Sequence, residues 1–447
     1  MKMTMEENSP LTRREFLLKS SAGVAATGLM PFAVKATANP HRLRLAIVGT
    51  GSRGSTNWGR DLTANCGDVV EIVGLCDING KRAVAARKLI GTQAPTFTDF
   101  DLMIATTKPD AVVVTTVDAI HSRYIVRALE LGCKVITEKP LGTDEEQCLA
   151  ILEAEKRLDK KIVVAFNARH FREVKKIKEL LLESAIGDVI SVNYHEYLDT
   201  DHGASYFRRW HRLKKNSGTL LVTKSCHHFD QVNWWLESTP VNVAASGELR
   251  IYGKNNSFRS AYCRACPFKQ TCRFYWDITR HPTEMKLYAE CESEDGYLRD
   301  GCVWREDVDI YDTTSVSVEY ENKARLTYTT DAYLPYEGQA ISINGSKGRI
   351  DFNSFSGGGF NSQELRLTRS FGKSELITDL PEQRNGGHGG ADPSLQDMLF
   401  REPDGPDPLC LRAGARAGAL ASFVGIAAYK SIERHGQVVK ISDLARI

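Results

Sequence analysis

The chain has almost no excess charge of either sign. Lys+Arg 58 against Asp+Glu 56 leave a formal net charge of +2, too balanced for the basic field of a protein whose main task is binding nucleic acid. A long apolar run is also missing. The apolar stretch near the N-terminus, Ser20 to Val34, is about 15 residues where a spanning helix needs about 20, so no permanent membrane anchor is expected. With 42% hydrophobic, 26% charged and 9% aromatic residues, nothing points to a collagenous, disordered or multi-span protein. At roughly 150 residues per domain, 447 residues suggest two or three domains. Cysteine is the exception to this plain composition. There are eleven, and Cys263, Cys266, Cys272, Cys291 and Cys302 fall close together.

The first residues read as an address. Thr12-Arg13-Arg14-Glu15-Phe16-Leu17-Leu18-Lys19, the short apolar run and Ala36-Thr37-Ala38 match a twin-arginine export signal cleaved after Ala38, which places the mature protein in the periplasm. A basic, Ala-rich N-terminal helix is the plainer alternative for residues 1–38.

Leu43 to Val48 is a continuous apolar run ending in Gly49-Thr50-Gly51-Ser52-Arg53-Gly54. Glycine suits a tight turn where a pyrophosphate approaches the backbone and a helix packs on its strand. The phosphates would rest on the free N–H groups of that helix. A second apolar run, Val69 to Cys76, ends in Asp77, at the spacing of an acid that accepts from a ribose hydroxyl and favours NAD over NADP. Asn79, Lys81 and Arg82 leave NADP open. Strand-like runs Ala111 to Thr116, Lys134 to Thr137 and Ile162 to Phe166 alternate with helical stretches, the pattern of a Rossmann doubly wound parallel sheet over residues 41–166. Thr115, Thr116, Asp118, His121, Glu138 and Lys139 follow the strand ends, where ligands bind such sheets.

These residues resemble a known group. GTGSRG, CDIN, TTVDAIH, TEKPLGTDEEQC and the later SGTLLVTKSCHHFD (217–230) are similar to the Gfo/Idh/MocA family of NAD(P)-dependent sugar and polyol oxidoreductases, over about residues 41–440. The resemblance implies catalysis by Lys139 and His227 beside the nicotinamide, with a base taking the hydroxyl proton as hydride leaves. The chain departs from the family at Thr223, where the usual pattern has an aspartate four residues before the histidine. A threonine hydroxyl cannot act as a carboxylate base, so proton transfer must rest on Lys139, His227, or one of Lys224 and His228. Asp230 is read as orienting a histidine or capping structure.

Beyond residue 167 the period changes to alternation, at Val189 to His195, Thr314 to Tyr320, Ala324 to Thr329 and Ala340 to Ile343. With a helix over Leu220 to Leu236, this predicts a C-terminal α+β substrate domain (167–447) built on an open, mostly antiparallel sheet. Its other face would serve homo-oligomerisation. His388, in a glycine-rich loop, and Arg169 are candidate substrate residues. Tyr194, Arg208, Arg209, Trp210, Trp234 and Trp235 also have side chains suited to sugars, though each could equally be core. The insertion at about 251–305 carries Cys263-x-x-Cys266 and Cys272, knuckle spacing for structural zinc or another thiolate metal with Cys302 or Cys291 as fourth ligand. Disulfides are the alternative in an oxidising compartment.

Free NAD is scarce outside the cytoplasm, so an exported enzyme is expected to hold its cofactor tightly. The expected function is oxidation of a carbohydrate or cyclitol hydroxyl. Two alternatives stand beside it: an NAD-dependent, redox-neutral glycoside hydrolase or lyase, and a non-enzymatic sugar-binding protein.

Overall fold

The protein is described by a computed structural model over residues 42–445; the export signal expected at 1–38 lies outside the described residues. Leu43–Val48 (β1), Val70–Cys76 (β2), Thr96–Phe97 (β3), Ala111–Val114 (β4), Lys134–Thr137 (β5) and Ile162–Val164 (β6) form one sheet. Its order is β3-β2-β1-β4-β5-β6, and every pair is parallel. All four residues of β4 are buried, as expected when helices cover both faces. Those helices start on side-chain caps: Asn79 accepts from Arg82 N, Asp99 from Leu102 N and Asp144 from Gln147 N, each satisfying an amide that has no partner within its helix. Strand order reverses between β1 and β4, so the loops after these two strands open a crevice at the carboxyl edge.

The second sheet comprises Val189–Asp199 (β7), Pro240–Glu248 (β8), Thr313–Tyr320 (β9), Arg325–Leu334 (β10), Glu337–Gly345 (β11), Gly348–Gly357 (β12), Phe360–Arg369 (β13), Ser374–Leu376 (β14) and Val439–Lys440 (β15). They run in the order β14-β13-β12-β11-β7-β10-β9-β8-β15. Only β7 and β10 pair in parallel. In β9, Val316, Val318 and Tyr320 are buried while Ser315 and Ser317 are exposed, the alternation of a sheet covered on one face. The helices Cys226–Leu236 and Ala415–Glu433 pack on each other, and the second also packs on β8. Among the described residues no helix is long and apolar enough to cross a membrane.

Two expectations are corrected. The helix expected over Leu220 to Leu236 is two, Leu220–Thr223 and Cys226–Leu236. Lys224 and Ser225 both return their N–H groups to Leu220 O, and His227 N–H reaches Lys224 O rather than Thr223 O. The Thr223 carbonyl is thereby released from the helix. The metal site expected at Cys263, Cys266, Cys272 and Cys302 is not formed, nor are disulfides: all eleven cysteines are free thiols, and among the described residues no group of three His, Cys, Asp or Glu could hold a metal. Cys263 and Cys302 are buried where extended segments meet at Tyr262 and Gly301, whereas Cys266 and Cys272 are only half-buried. Arg208 Nη1 donates to Cys263 Sγ at 3.1 Å, so a guanidinium occupies the approach to that sulfur.

Candidate active site

A cleft of about 790 Å³ follows the carboxyl edge of the parallel sheet, with Gly49, Thr115 and Lys139 on one wall and Glu196, Thr223 and His227 on the other. Its size is ordinary for a ligand pocket. β1 runs into Gly49, whose φ is +91°; a Cβ there would lie 2.6 Å from the Thr115 carbonyl carbon, and one on Gly54 would lie 2.2 Å from Gly49 O. No side chain fits either position. The loop after β1 therefore lies against the end of β4, fastened by Thr115 Oγ1 donating to Gly49 O at 2.5 Å. The next helix, Arg53–Asp61, opens beside the cleft with Ser52 and Arg53 in its lining. This tight turn, without a side chain at Gly49, Gly51 or Gly54, stands at a helix N-terminus as the pyrophosphate of a dinucleotide requires, and its Ser52 N–H is met by Tyr288 Oη at 2.8 Å.

Asp77 also lines the cleft. Its carboxylate accepts from Thr50 N and Asn79 N and pairs with Arg82 at 3.1 Å. Arg82 pairs again with Asp295 at 2.5 Å, so the guanidinium that could have answered a 2′-phosphate is already held by two carboxylates. Arg53 reaches Glu138 at 2.6 Å and Asp392 at 2.9 Å, and Trp58 Nε1 donates to Glu138 at 2.7 Å. His388 Nδ1 and Asn167 Nδ2 both lie 2.7 Å from Asp392. Burial opposes the charge on Asp392, but hydrogen bonds from His388 and Arg53 hold its carboxyl well below the usual range. Arg53, Glu138, Asp392, Asn167 and His388 thus form one hydrogen-bonded cluster beside the cleft.

At the centre, Lys139 Nζ donates to the Thr223 carbonyl at 2.8 Å, the acceptor freed by the helix break. Asp118, 5% exposed, faces the same point, and its Oδ2 is buried with no hydrogen-bond partner. Burial pushes its carboxyl up to about 7, against the pull of Lys139 and the Thr223 hydroxyl. The His227 ring lines the cleft, edge-on to Phe166 at 5.9 Å, with Nδ1 buried and unpartnered. Burial, with Lys139 and Lys224 nearby, holds that imidazole neutral, well below its ordinary value. His121 behaves differently. It is buried, with its ring nitrogens 2.8 Å from Pro140 O and 3.2 Å from Thr116 O, and pins together the loops that carry Asp118 and Lys139.

The outer wall holds Lys224 3.1 Å from Glu196 and His228 3.4 Å from the same carboxylate. His228 Nδ1 also meets Tyr328 Oη at 2.9 Å. Burial drops the His228 imidazole to about 4, so it is neutral at physiological pH. Arg209 and Trp210 line the cleft. Arg169 does not: it is buried in a bidentate pair with Asp230, both bonds 2.7 Å. Arg208 is turned into the insertion, where Nη2 donates to Phe274 O at 2.8 Å. Tyr194, Trp234 and Trp235 are core residues.

Several lining residues carry no signal in the sequence. Glu196 is one polar position in an alternating strand, and His211 is one histidine beside a tryptophan. His211 stacks on Trp210 at 3.5 Å with Nδ1 buried and unpartnered. Tyr288, Asp295, Tyr297 and Arg299 come from the cysteine-rich insertion, where the spacing of the cysteines points to a metal or disulfides and not to the cleft.

Residues 43–166 match the description "Oxidoreductase family, NAD-binding Rossmann fold" and residues 178–441 match "Oxidoreductase family, C-terminal alpha/beta domain". The chain belongs to the Gfo/Idh/MocA oxidoreductase family. Within it, the chain is 37% identical over 417 residues to YteT of Bacillus subtilis, a protein named as an oxidoreductase; the match covers 87% of this chain and 95% of YteT. It is 30% identical over 203 residues to an inositol 2-dehydrogenase of Corynebacterium glutamicum, but that match spans 45% of this chain and 56% of the relative. Two solved structures share the fold. An Agrobacterium radiobacter oxidoreductase in complex with NAD+, L-tartaric acid and magnesium has a TM-score of 0.64 at 14% identity, covering 90% of this chain and 100% of its own. The aldose-aldose oxidoreductase of Caulobacter crescentus, complexed with glycerol, has 0.62 at 17%, covering 89% and 99%.

Proposed function

We propose that this family member is an exported NAD-dependent dehydrogenase of a sugar or cyclitol hydroxyl that keeps its cofactor bound. The reading rests chiefly on one observation: Lys139 and Asp118 converge on the turn at Thr223, beside His227 and within reach of the glycine loop. Bound NAD would supply the hydride acceptor. The chain itself must manage the hydroxyl proton. Lys139 Nζ, held by the Thr223 carbonyl, donates to the substrate oxygen and stabilises the negative charge that grows there. Asp118 takes the proton. It thus brings from the loop after β4 the carboxylate that Thr223 lacks. Neutral His227 orients the same hydroxyl. Relatives named for inositol oxidation support a polyol substrate, and Arg82 committed to Asp77 and Asp295 supports NAD over NADP.

The test is incubation of purified protein with NAD and a panel of aldoses and cyclitols while NADH absorbance is followed. A polyol-dependent rise together with a keto product is expected. No rise with any member, or glycoside cleavage without net reduction, would overturn the reading. Arg13-Arg14 and Ala36-Thr37-Ala38 support the export part of this reading, on which sequencing of periplasmic protein should begin at Asn39. The exposed face of the nine-stranded sheet, with Ser315 and Ser317 on it, is the surface offered for homo-oligomerisation, which light scattering would report as a mass above 49.7 kDa.

A further inference from the structure

The insertion does not stand apart as a staple. Its base is closed by Asp312, which accepts from the N–H groups of Arg250, Ile251 and Tyr252 at 2.8, 2.6 and 3.1 Å. Tyr252 stacks on Phe207 at 4.2 Å, fixing that end to the substrate half. From there the chain crosses to the nucleotide half and lands on the strand ends. Tyr288 Oη accepts from Ser52 N at 2.8 Å, and Ser52 Oγ donates to Glu284 at 2.6 Å. Asn79 Nδ2 donates to Cys291 O at 2.8 Å, and Lys81 N to Glu294 at 3.0 Å. Arg82, 7% exposed, is shared between Asp77 and Asp295 while its Nε donates to Leu287 O. Leu287, fully buried, joins the core of the nucleotide half.

These contacts are not spread over the domain. They fall on the glycine loop and on the turn after β2, the two places where a dinucleotide is held in this fold. We propose that the insertion is the second jaw of the cofactor site, closing over the glycine loop so that a bound dinucleotide stays in place from one turnover to the next. To open, the jaw must separate Asp295 from the buried Arg82, which would leave that guanidinium with Asp77 as its one carboxylate partner. The cysteines then serve the jaw's own packing.

This rests on the reading that the cleft holds NAD, and the measurement is chosen to separate the two. Nucleotide is released by acid from purified protein and quantified, and NADH exchange against excess NAD is followed by fluorescence. Close to one dinucleotide per chain, surviving dialysis, is expected. Tyr288→Phe with Asp295→Asn, which keeps both shapes, should speed release about 100-fold, the effect of losing one neutral and one charge-assisted hydrogen bond. In the wild type, NAD should slow hydrogen exchange across residues 284–299, a readout that does not depend on the variant folding. Tight affinity with fast exchange, or no protection of 284–299, overturns the jaw alone. A chain with no affinity for dinucleotide overturns the NAD reading and the jaw with it.

Discussion

At Thr223 a hydroxyl stands where a carboxylate would serve the chemistry, and the neighbouring Asp118 brings one from another loop. Its carboxyl, raised to about 7 chiefly by burial, ionises as pH rises through that value. The rate of alcohol oxidation should therefore climb with pH up to about 7 and then level. Asp118→Asn should lower the rate and flatten this profile, as stopped-flow NADH traces at several pH values would show. Stability runs the other way. The folded protein holds this proton more tightly than the unfolded chain, so the wild type loses stability as pH rises from the ordinary carboxylate range toward 7. The Asn variant does not, and should melt above the wild type at pH 8 but not at pH 4. On the proposed mechanism Lys139→Ala removes the donor that stabilises the developing charge and should cost about 10²–10³-fold in rate, read as kcat with bound cofactor unchanged. A rate near that of the wild type would remove Lys139 from the mechanism.

Among elements, the loop after β1 depends on two positions without side chains. A Cβ on Gly54 would sit 2.2 Å from Gly49 O, and that neighbour is backbone. Gly54→Ala should cost about 1–3 kcal/mol or more by overpacking and abolish NAD binding, seen together in thermal unfolding and fluorescence titration. The interrupted helix at 223–226 works differently. An unbroken helix would take the Thr223 carbonyl into its own ladder and leave Lys139 without the acceptor that positions it.

For the whole molecule, the helix Ala391–Phe400 is tied back to the nucleotide half through Asp392, which Arg53, Asn167 and His388 all contact. Asp392→Ala would leave the buried Asn167 amide without its acceptor and the half-buried Arg53 with Glu138 alone, and should cost about 1–3 kcal/mol, measured by denaturant unfolding. Because the Asp392 carboxyl lies well below its ordinary value in the fold, its contribution is present above about pH 4 and is lost as pH falls below it. The wild-type melting temperature should drop on acidification more steeply than that of Asp392→Asn.

The nucleotide half was legible in the sequence because its signals are local. An apolar run, a glycine turn and an acid at the next strand end each lie within one βα unit, and β1 and β5 fall where the runs Leu43 to Val48 and Lys134 to Thr137 put them. In the second sheet, alternation located β7, β9, β10 and β11, whereas β14 and β15 are only three and two residues long, too short to show a period, and β8, β12 and β13 were not singled out. Lys139 was marked by its motif, but the partner that holds it lies 84 residues away. Tyr288 meets Ser52 across 236 residues. Such contacts carry no period and no spacing. Whether Arg169 serves a sugar or Asp230, and whether the insertion staples itself or covers the glycine loop, depends on which surfaces the chain brings together as it packs. The sequence by itself determined the nucleotide-binding unit; the tertiary structure decided which charges face the cleft and which are spent holding it in shape.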